Sequence, residues 1–195
     1  MADVPFPVSA ASEINALTGS EYKDREAWFT VTLDPWVQII TMEYGLDRTF
    51  ATTIHRMIVN AETDQHPAME DKLIAAIALT EITPAGLQFG CRMLGLIGSV
   101  RCVPEVLKRL AQNETADFAR SALDGINDPM VDEAYRASLS KLSGAAKIGL
   151  IGSIGVRGDR MAHDLLTQLA ADPAETAEVR LAAERAVGKL SSEVL

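Results

Sequence analysis

The stretch GLIGSIGVRGDR, residues 149–160, decides the fold because its four glycines admit two opposite interpretations. A phosphate-binding glycine loop follows a strand and opens a helix. Here the preceding residues have helical spacing, and neither the G-x-G-x-x-G spacing nor a following Lys-Ser/Thr pair is present. We therefore interpret the stretch as the end of a helix, with Gly152 in the helix interior and Gly155 as the residue that terminates it.

The sequence around this stretch repeats from Pro84 onward, and each copy begins with one amphipathic helix. Apolar residues recur at i, i+4, i+5 and i+8, which marks one broad helix face. Each helix is predicted to end at the next residue, because Gly and Asn tolerate the left-handed conformation found there. The anchor residues of the copies are Leu94, Leu123, Ile151 and Val187, and the predicted end residues are Gly98, Asn127, Gly155 and Ser191.

A second amphipathic helix is predicted after each of the first three copies, so that every repeat holds two helices. The anchors recur about every 30 residues, a period typical of an α-solenoid. The longest step includes a polar linker at residues 171–178. We therefore predict an all-α fold, a right-handed α-solenoid. Residues 1–83 form a helical N-terminal cap or degenerate repeats, and residues 84–195 form repeats that end in a half repeat.

Three pairs of a capping residue and a proline predict helix starts. Asp34, Thr83 and Asp128 each precede a proline, which suits the first position of a helix. These signals favour helix over strand where β-branched residues are frequent, as in the WVQIIT segment. Gly45 is expected to end the helix that begins after Asp34, and Asp47 to open the next one.

Composition excludes several classes of function. The chain has 195 residues, is 48% hydrophobic and carries a net charge of −9, with a pI near 4.8. This acidic balance opposes nucleic-acid binding and polybasic contact with a membrane surface. No apolar run reaches the roughly 18 residues of a membrane span, and the N-terminus lacks the pattern of a signal peptide. We expect a cytoplasmic protein.

The copy QFGCRMLGLIGSVRCVPEVLKRLAQ, residues 88–112, resembles the HEAT-like repeats of many bacterial proteins. In that family a first helix ends in L-G-x-I-G, and a second helix begins with V-P. The matching residues are Leu94, Gly95, Ile97 and Gly98 for the first helix, and Val103, Pro104, Leu107 and Leu110 for the second. The resemblance implies a curved stack of helix pairs whose second helices line a concave face. Such faces usually bind proteins or peptides.

Some proteins with HEAT-like repeats are enzymes, but this sequence does not match the residues that those enzymes require. The di-iron hydroxylases of the family use His-Glu pairs, whereas His55, His66 and His163 are followed by Arg, Pro and Asp. HEAT-like DNA glycosylases need a basic groove. We therefore expect no catalytic group, metal or cofactor, and predict a non-catalytic scaffold or adaptor that binds an unidentified protein or peptide. The alternative is a HEAT-like enzyme or lyase subunit that binds a small ligand in the same groove.

Candidate contact residues follow from this hypothesis. Polar residues of the second helices lie off the apolar stripes, and Trp28 and Trp36 form an aromatic N-terminal patch. The two tryptophans suit either the core of the cap or a docking site, and the latter could also join two copies as a homodimer. Cys91 and Cys102 are expected to be buried free thiols, although Cys102 opens a second helix, where a helix N-terminus can lower the pKa of a thiol. The concave-face candidates are Arg109, Arg136, His163 and Gln168.

Overall fold

The computed structural model describes residues 34–192, and ten α-helices account for most of this part of the chain. No strand occurs among these residues, so the all-α prediction is confirmed. Short 3-10 turns at residues 63–65, 139–141 and 160–162 precede or follow helices. The helices are α1 (Pro35–Gln38), α2 (Thr49–Asn60), α3 (His66–Ala78), α4 (Pro84–Ile97), α5 (Val103–Leu110), α6 (Ala116–Leu123), α7 (Pro129–Ser138), α8 (Gly144–Arg157), α9 (His163–Ala171) and α10 (Ala177–Ser192).

The predicted helix starts are confirmed, because each capping side chain accepts a hydrogen bond from the first turn. Asp34 accepts from the backbone N–H of Trp36 at 2.9 Å, and Asp128 accepts from that of Met130 at 2.8 Å. Thr83 Oγ1 accepts from the N–H of Gly86 at 3.1 Å. These bonds satisfy donors that a helix leaves without an internal partner.

The predicted helix ends are mostly wrong. Gly155 lies inside α8, which continues to Arg157 and ends at Gly158, whose φ of 70° is the left-handed conformation that glycine favours. Gly98 does follow α4, but with an extended backbone, φ −64° and ψ 144°. Asn127 lies beyond the end of α6, and Ser191 lies inside α10. The helix that begins after Asp34 is also shorter than predicted, because α1 ends at Gln38 and not near Gly45.

The described part of the chain divides into two compact units, residues 34–105 and residues 106–192. This division follows packing, whereas the expected boundary after residue 83 follows the repeat pattern of the sequence. The repeat boundary therefore stays a prediction. No helix within residues 34–192 has both the length and the apolar character of a membrane-crossing span.

In the first unit, α3 and α4 pack most closely, and α2 packs against both α1 and α4. Ile54, Leu73 and Leu94 are fully buried in its core. A buried carboxylate ties α3 to the segment after α4. Glu70 is 2% exposed and accepts hydrogen bonds from the Ser99 N–H at 2.7 Å and the Ser99 hydroxyl at 2.9 Å. This pairing explains how a carboxylate is tolerated at a buried position.

In the second unit, α8 is the central helix and packs against α6, α7 and α10, while α9 packs against α10. The anchor residues Leu123 and Ile151 are fully buried, as their apolar columns predict, and Val187 is half-buried. The polar linker before α10 is held to the core. Lys147 on α8, 7% exposed, pairs with Glu175 of this linker.

Candidate functional site

An open groove lies along α2, α4 and the segment that leads into α2. Its volume is about 810 Å³, which falls within the range of about 300–1,000 Å³ that is usual for ligand sites. All of its lining residues belong to the first compact unit. The groove is therefore a feature of that unit alone.

The floor of the groove is apolar. Met42, Phe89 and Met93 are each less than 5% exposed and line it. Phe89 and Met93 are four residues apart on α4, so they lie on one face of the helix. At the rim, Leu46 and Leu96 leave 68% and 56% of their surface in solvent. Apolar side chains thus line the groove at two depths, and a ligand that enters would cover the exposed pair at the rim.

Three basic side chains line the same groove. Arg48 immediately precedes α2, His55 lies on α2, and Arg92 lies on α4; all three are exposed. Asp47 is the acidic residue of the lining, and its carboxylate already accepts hydrogen bonds from the N–H and hydroxyl of Thr49, at 2.9 and 3.1 Å. The groove therefore offers positive charge in a chain whose net charge is negative.

The guanidinium of Arg48 is positioned by an aromatic ring. Its Cζ lies 5.6 Å from the centroid of the Tyr44 ring, a cation–π distance. The Tyr44 hydroxyl in turn donates to Gln88 Oε1 on α4. Among residues 34–192, neither Arg48 nor Arg92 forms an ion pair with a carboxylate. Both guanidinium groups can accept a carboxylate partner from outside.

The four residues predicted on the concave face do not line this groove. Arg136 is engaged within the fold, because its Nη1 pairs with Asp159, whose side chain is 5% exposed. His163 opens α9 and borders a separate cavity of about 390 Å³ with Arg160, Leu190 and Ser191. Arg109 is half-buried on α5, and Gln168 is exposed on α9.

Trp36 is buried and 3% exposed, and the Lys72 ammonium lies 5.4 Å from its ring centroid. This burial is consistent with Trp36 as a core residue, because it leaves little of the ring surface for a partner to contact. Trp28 lies outside the described residues. The aromatic docking patch therefore stays a prediction for Trp28.

Cys102 is a buried free thiol, as predicted, and its position at a helix N-terminus does not lower its pKa. Burial, reinforced by the charge of Glu70, raises the pKa of its thiol to about 11, and the Sγ–H donates to the carbonyl of Ser99 at 3.2 Å. The side chain is fully buried, as is Cys91. The effect of desolvation on the thiolate therefore exceeds that of the helix N-terminus. Within the described residues, His, Cys, Asp and Glu also do not form a cluster of three that could hold a metal ion.

A polar cluster in the second unit explains why Asp124 replaces the glycine of the repeat motif. Asp124 stands where other copies have glycine, and it accepts hydrogen bonds from the Tyr135 hydroxyl at 2.8 Å and from Ser153 Oγ at 3.1 Å. Arg120 pairs with the same carboxylate at 3.2 Å. Burial, followed by the charge of Asp124, raises the pKa of Tyr135 well above its usual range. The cluster joins α6, α7 and α8.

Sequence reasoning did not identify the basic residues of the groove. Arg48, Thr52 and His55 stand at i, i+4 and i+7, so a helical face was readable from their spacing. Nothing in the sequence brings Arg92 to that face, because it lies on a different helix and reaches the groove through the packing of α2 on α4. Tertiary packing assembles the site.

Comparison of the chain with protein-family models, with curated proteins and with solved structures finds no match. The HEAT-like resemblance thus rests on the repeat motif alone.

Proposed function

We propose that this chain is a non-catalytic protein-binding scaffold built from HEAT-like helix pairs that stack as a right-handed α-solenoid. The packing order within the second unit supports the stacking. Helix α8 contacts both α6 and α10, and all three are helices that carry or end at an anchor residue of the repeat. In a solenoid, each repeat buries its apolar face against its neighbours.

The groove between α2 and α4 carries the binding function. Its floor is buried and apolar, and its rim exposes Leu46 and Leu96 beside cationic side chains. Exposed apolar side chains that border a concave surface mark sites where other molecules bind. An open groove along two helices suits an extended or helical peptide segment of a partner protein.

A displayed library of random peptides, selected on the full chain, tests this function. Enriched peptides are synthesised and titrated against the wild-type chain, a Leu96→Asp variant and a Val59→Asp variant. Val59 is also exposed, at 61%, but does not line the groove. We expect Leu96→Asp to weaken binding about tenfold or more, since it places a charge at an apolar contact. Val59→Asp should bind as the wild type does.

Failure to enrich any peptide, or equal binding by all three proteins, would contradict a peptide site in this groove. A thermal-shift screen that then finds a small ligand, with the shift lost in Leu96→Asp, would favour the enzyme or lyase-subunit alternative. The second helices provide a further candidate surface, on which Gln168 is the most accessible of the predicted residues. A Gln168→Glu variant in the same titrations tests whether α9 also contacts the peptide.

A further inference from the structure

We infer that the partner segment is an acidic amphipathic peptide, which combines an apolar face with aspartate or glutamate side chains. This inference rests on the proposed function, and it adds the chemistry of the ligand. It follows from the combination of an apolar floor with basic residues contributed by both helices that form the groove.

The charge of the groove opposes that of the rest of the molecule. Arg48, His55 and Arg92 line it, and the one acidic lining residue, Asp47, has its oxygens occupied by Thr49. The chain as a whole carries a net charge of −9. A basic ligand would be attracted to most of the surface but repelled in the groove. An acidic ligand would find its favourable potential there, and such complementarity selects partners.

The two arginines reach the groove from different segments of the chain. Arg48 stands before α2 and is held by Tyr44, and Arg92 extends from α4 one turn before Leu96. A peptide that lies along the floor would therefore meet a guanidinium from each segment. Guanidinium groups bind carboxylates through two parallel hydrogen bonds, which fixes orientation as well as charge. Apolar side chains between the carboxylates would cover the exposed Leu46 and Leu96.

The exposed apolar side chains at the rim argue against a ligand that is anionic only. A phosphate group would use the guanidinium groups but leave the exposed surface of Leu46 and Leu96 in contact with water. A nucleic acid would also bring its charged backbone against an acidic chain. The pairing of apolar and cationic lining therefore favours a peptide with both kinds of side chain.

Three labelled peptides of about 15 residues, matched to helical periodicity, test the inference. They share Leu and Phe at i, i+3, i+4 and i+7 and differ at the remaining positions, which are Glu in the first, Gln in the second and Lys in the third. Fluorescence anisotropy measures their affinity for the full chain at low and high salt. We expect the Glu peptide to bind about tenfold or more tightly than the Gln peptide, and this advantage to shrink with salt.

Charge reversal of the groove provides the matched comparison. The Arg48→Glu/Arg92→Glu double variant should lose about tenfold or more in affinity for the Glu peptide and should bind the Lys peptide more tightly than the wild type does. The control is Arg56→Glu, since Arg56 is exposed on α2 but does not line the groove. It should leave the affinity within about twofold. All of the substituted residues are exposed, and circular dichroism checks that each variant is folded.

The outcomes separate this inference from the proposed function. Equal affinity for the Glu and Gln peptides overturns the acidic ligand but leaves a peptide scaffold. If the double variant still binds the Glu peptide as the wild type does, the site for acidic peptides lies elsewhere, and the inference is also overturned. Displacement of the peptide by inorganic phosphate at equal concentration would reassign the arginines to a simple anion. If all three peptides and the displayed library fail to bind, the proposed function itself fails.

Discussion

Gly155 and Gly152 lie on the same helix, α8, yet only Gly155 has atoms of another helix close to it. A Cβ atom built at Gly155 would lie 3.1 Å from the Cβ and 3.2 Å from the Cα of Ala186 on α10. A Cβ atom at Gly152 would have no neighbour within 4 Å. Gly155 therefore permits the close approach of α8 and α10, whereas Gly152 occupies an exposed position where glycine has no packing role.

We expect opposite effects of alanine at these two positions. Gly155→Ala should lower the free energy of unfolding by about 1–3 kcal/mol, because it forces apart two packed helices. Gly152→Ala should raise it by about 0.5–1 kcal/mol, because alanine favours the helix and meets nothing. Urea denaturation monitored by circular dichroism measures both. Stabilisation of similar size in both variants would show that α8 and α10 do not approach as described.

Cys102 should be nearly inert in the folded chain. Its pKa of about 11, against an ordinary 9.0, lowers the thiolate fraction at pH 8 by about a hundredfold. Iodoacetamide should therefore modify it far more slowly in buffer than in urea, as followed by peptide mass spectrometry. Because the folded pKa is the higher one, this group favours the folded state up to about pH 9, and the contribution is lost as pH rises toward 11. Rapid labelling of the native thiol would contradict the burial.

At the scale of elements, one side chain joins the end of α8 to the segments around α7. The Arg157 side chain is 10% exposed; its Nε donates to Asp132 at 2.5 Å, and its Nη1 donates to the carbonyl of Ile126 at 2.9 Å. It is also the last residue of α8, directly before the left-handed Gly158. The turn at residues 157–159 is thus fixed by a buried cation as well as by glycine.

Removal of this guanidinium should be costly. Arg157→Ala should lower the free energy of unfolding by about 1–3 kcal/mol, since it leaves the half-buried Asp132 without its pair and carbonyl groups without a donor. Arg157→Lys should recover part of the loss through the retained charge. Arg185→Ala, at an exposed position of α10, should change the value by less than about 0.5 kcal/mol. Equal, small effects of Arg157→Ala and Arg185→Ala in urea titrations would rule out a stabilising role for this contact.

At the scale of the whole molecule, the net charge of −9 should make stability depend on salt. Self-repulsion falls as the Debye length shortens from about 30 Å at 0.01 M to about 8 Å at 0.15 M salt. We expect added NaCl in this range to raise Tm by a few degrees, as measured by calorimetry. A Glu133→Lys variant, exposed on α7, should gain less, because its net charge is less negative. A fall in Tm would show that exposed ion pairs outweigh the repulsion.

The amino-acid sequence by itself determined where helices begin and which faces they bury. A capping bond such as that of Thr83 to Gly86 spans three residues, so its signal is local and could be predicted. The buried positions of Leu94, Leu123 and Ile151 follow from helical periodicity in the same way. The all-α class is a consequence of these local signals.

Tertiary structure alone decided which glycine ends α8 and which residues form the groove. Gly155 and Gly158 have the same local propensity, yet Gly155 lies inside α8 against Ala186 of another helix, whereas Gly158 takes the left-handed conformation that ends α8. Arg48 and Arg92 likewise share a groove because α2 packs on α4. Contacts between residues distant in sequence depend on how helices fit together in space, which no local pattern specifies.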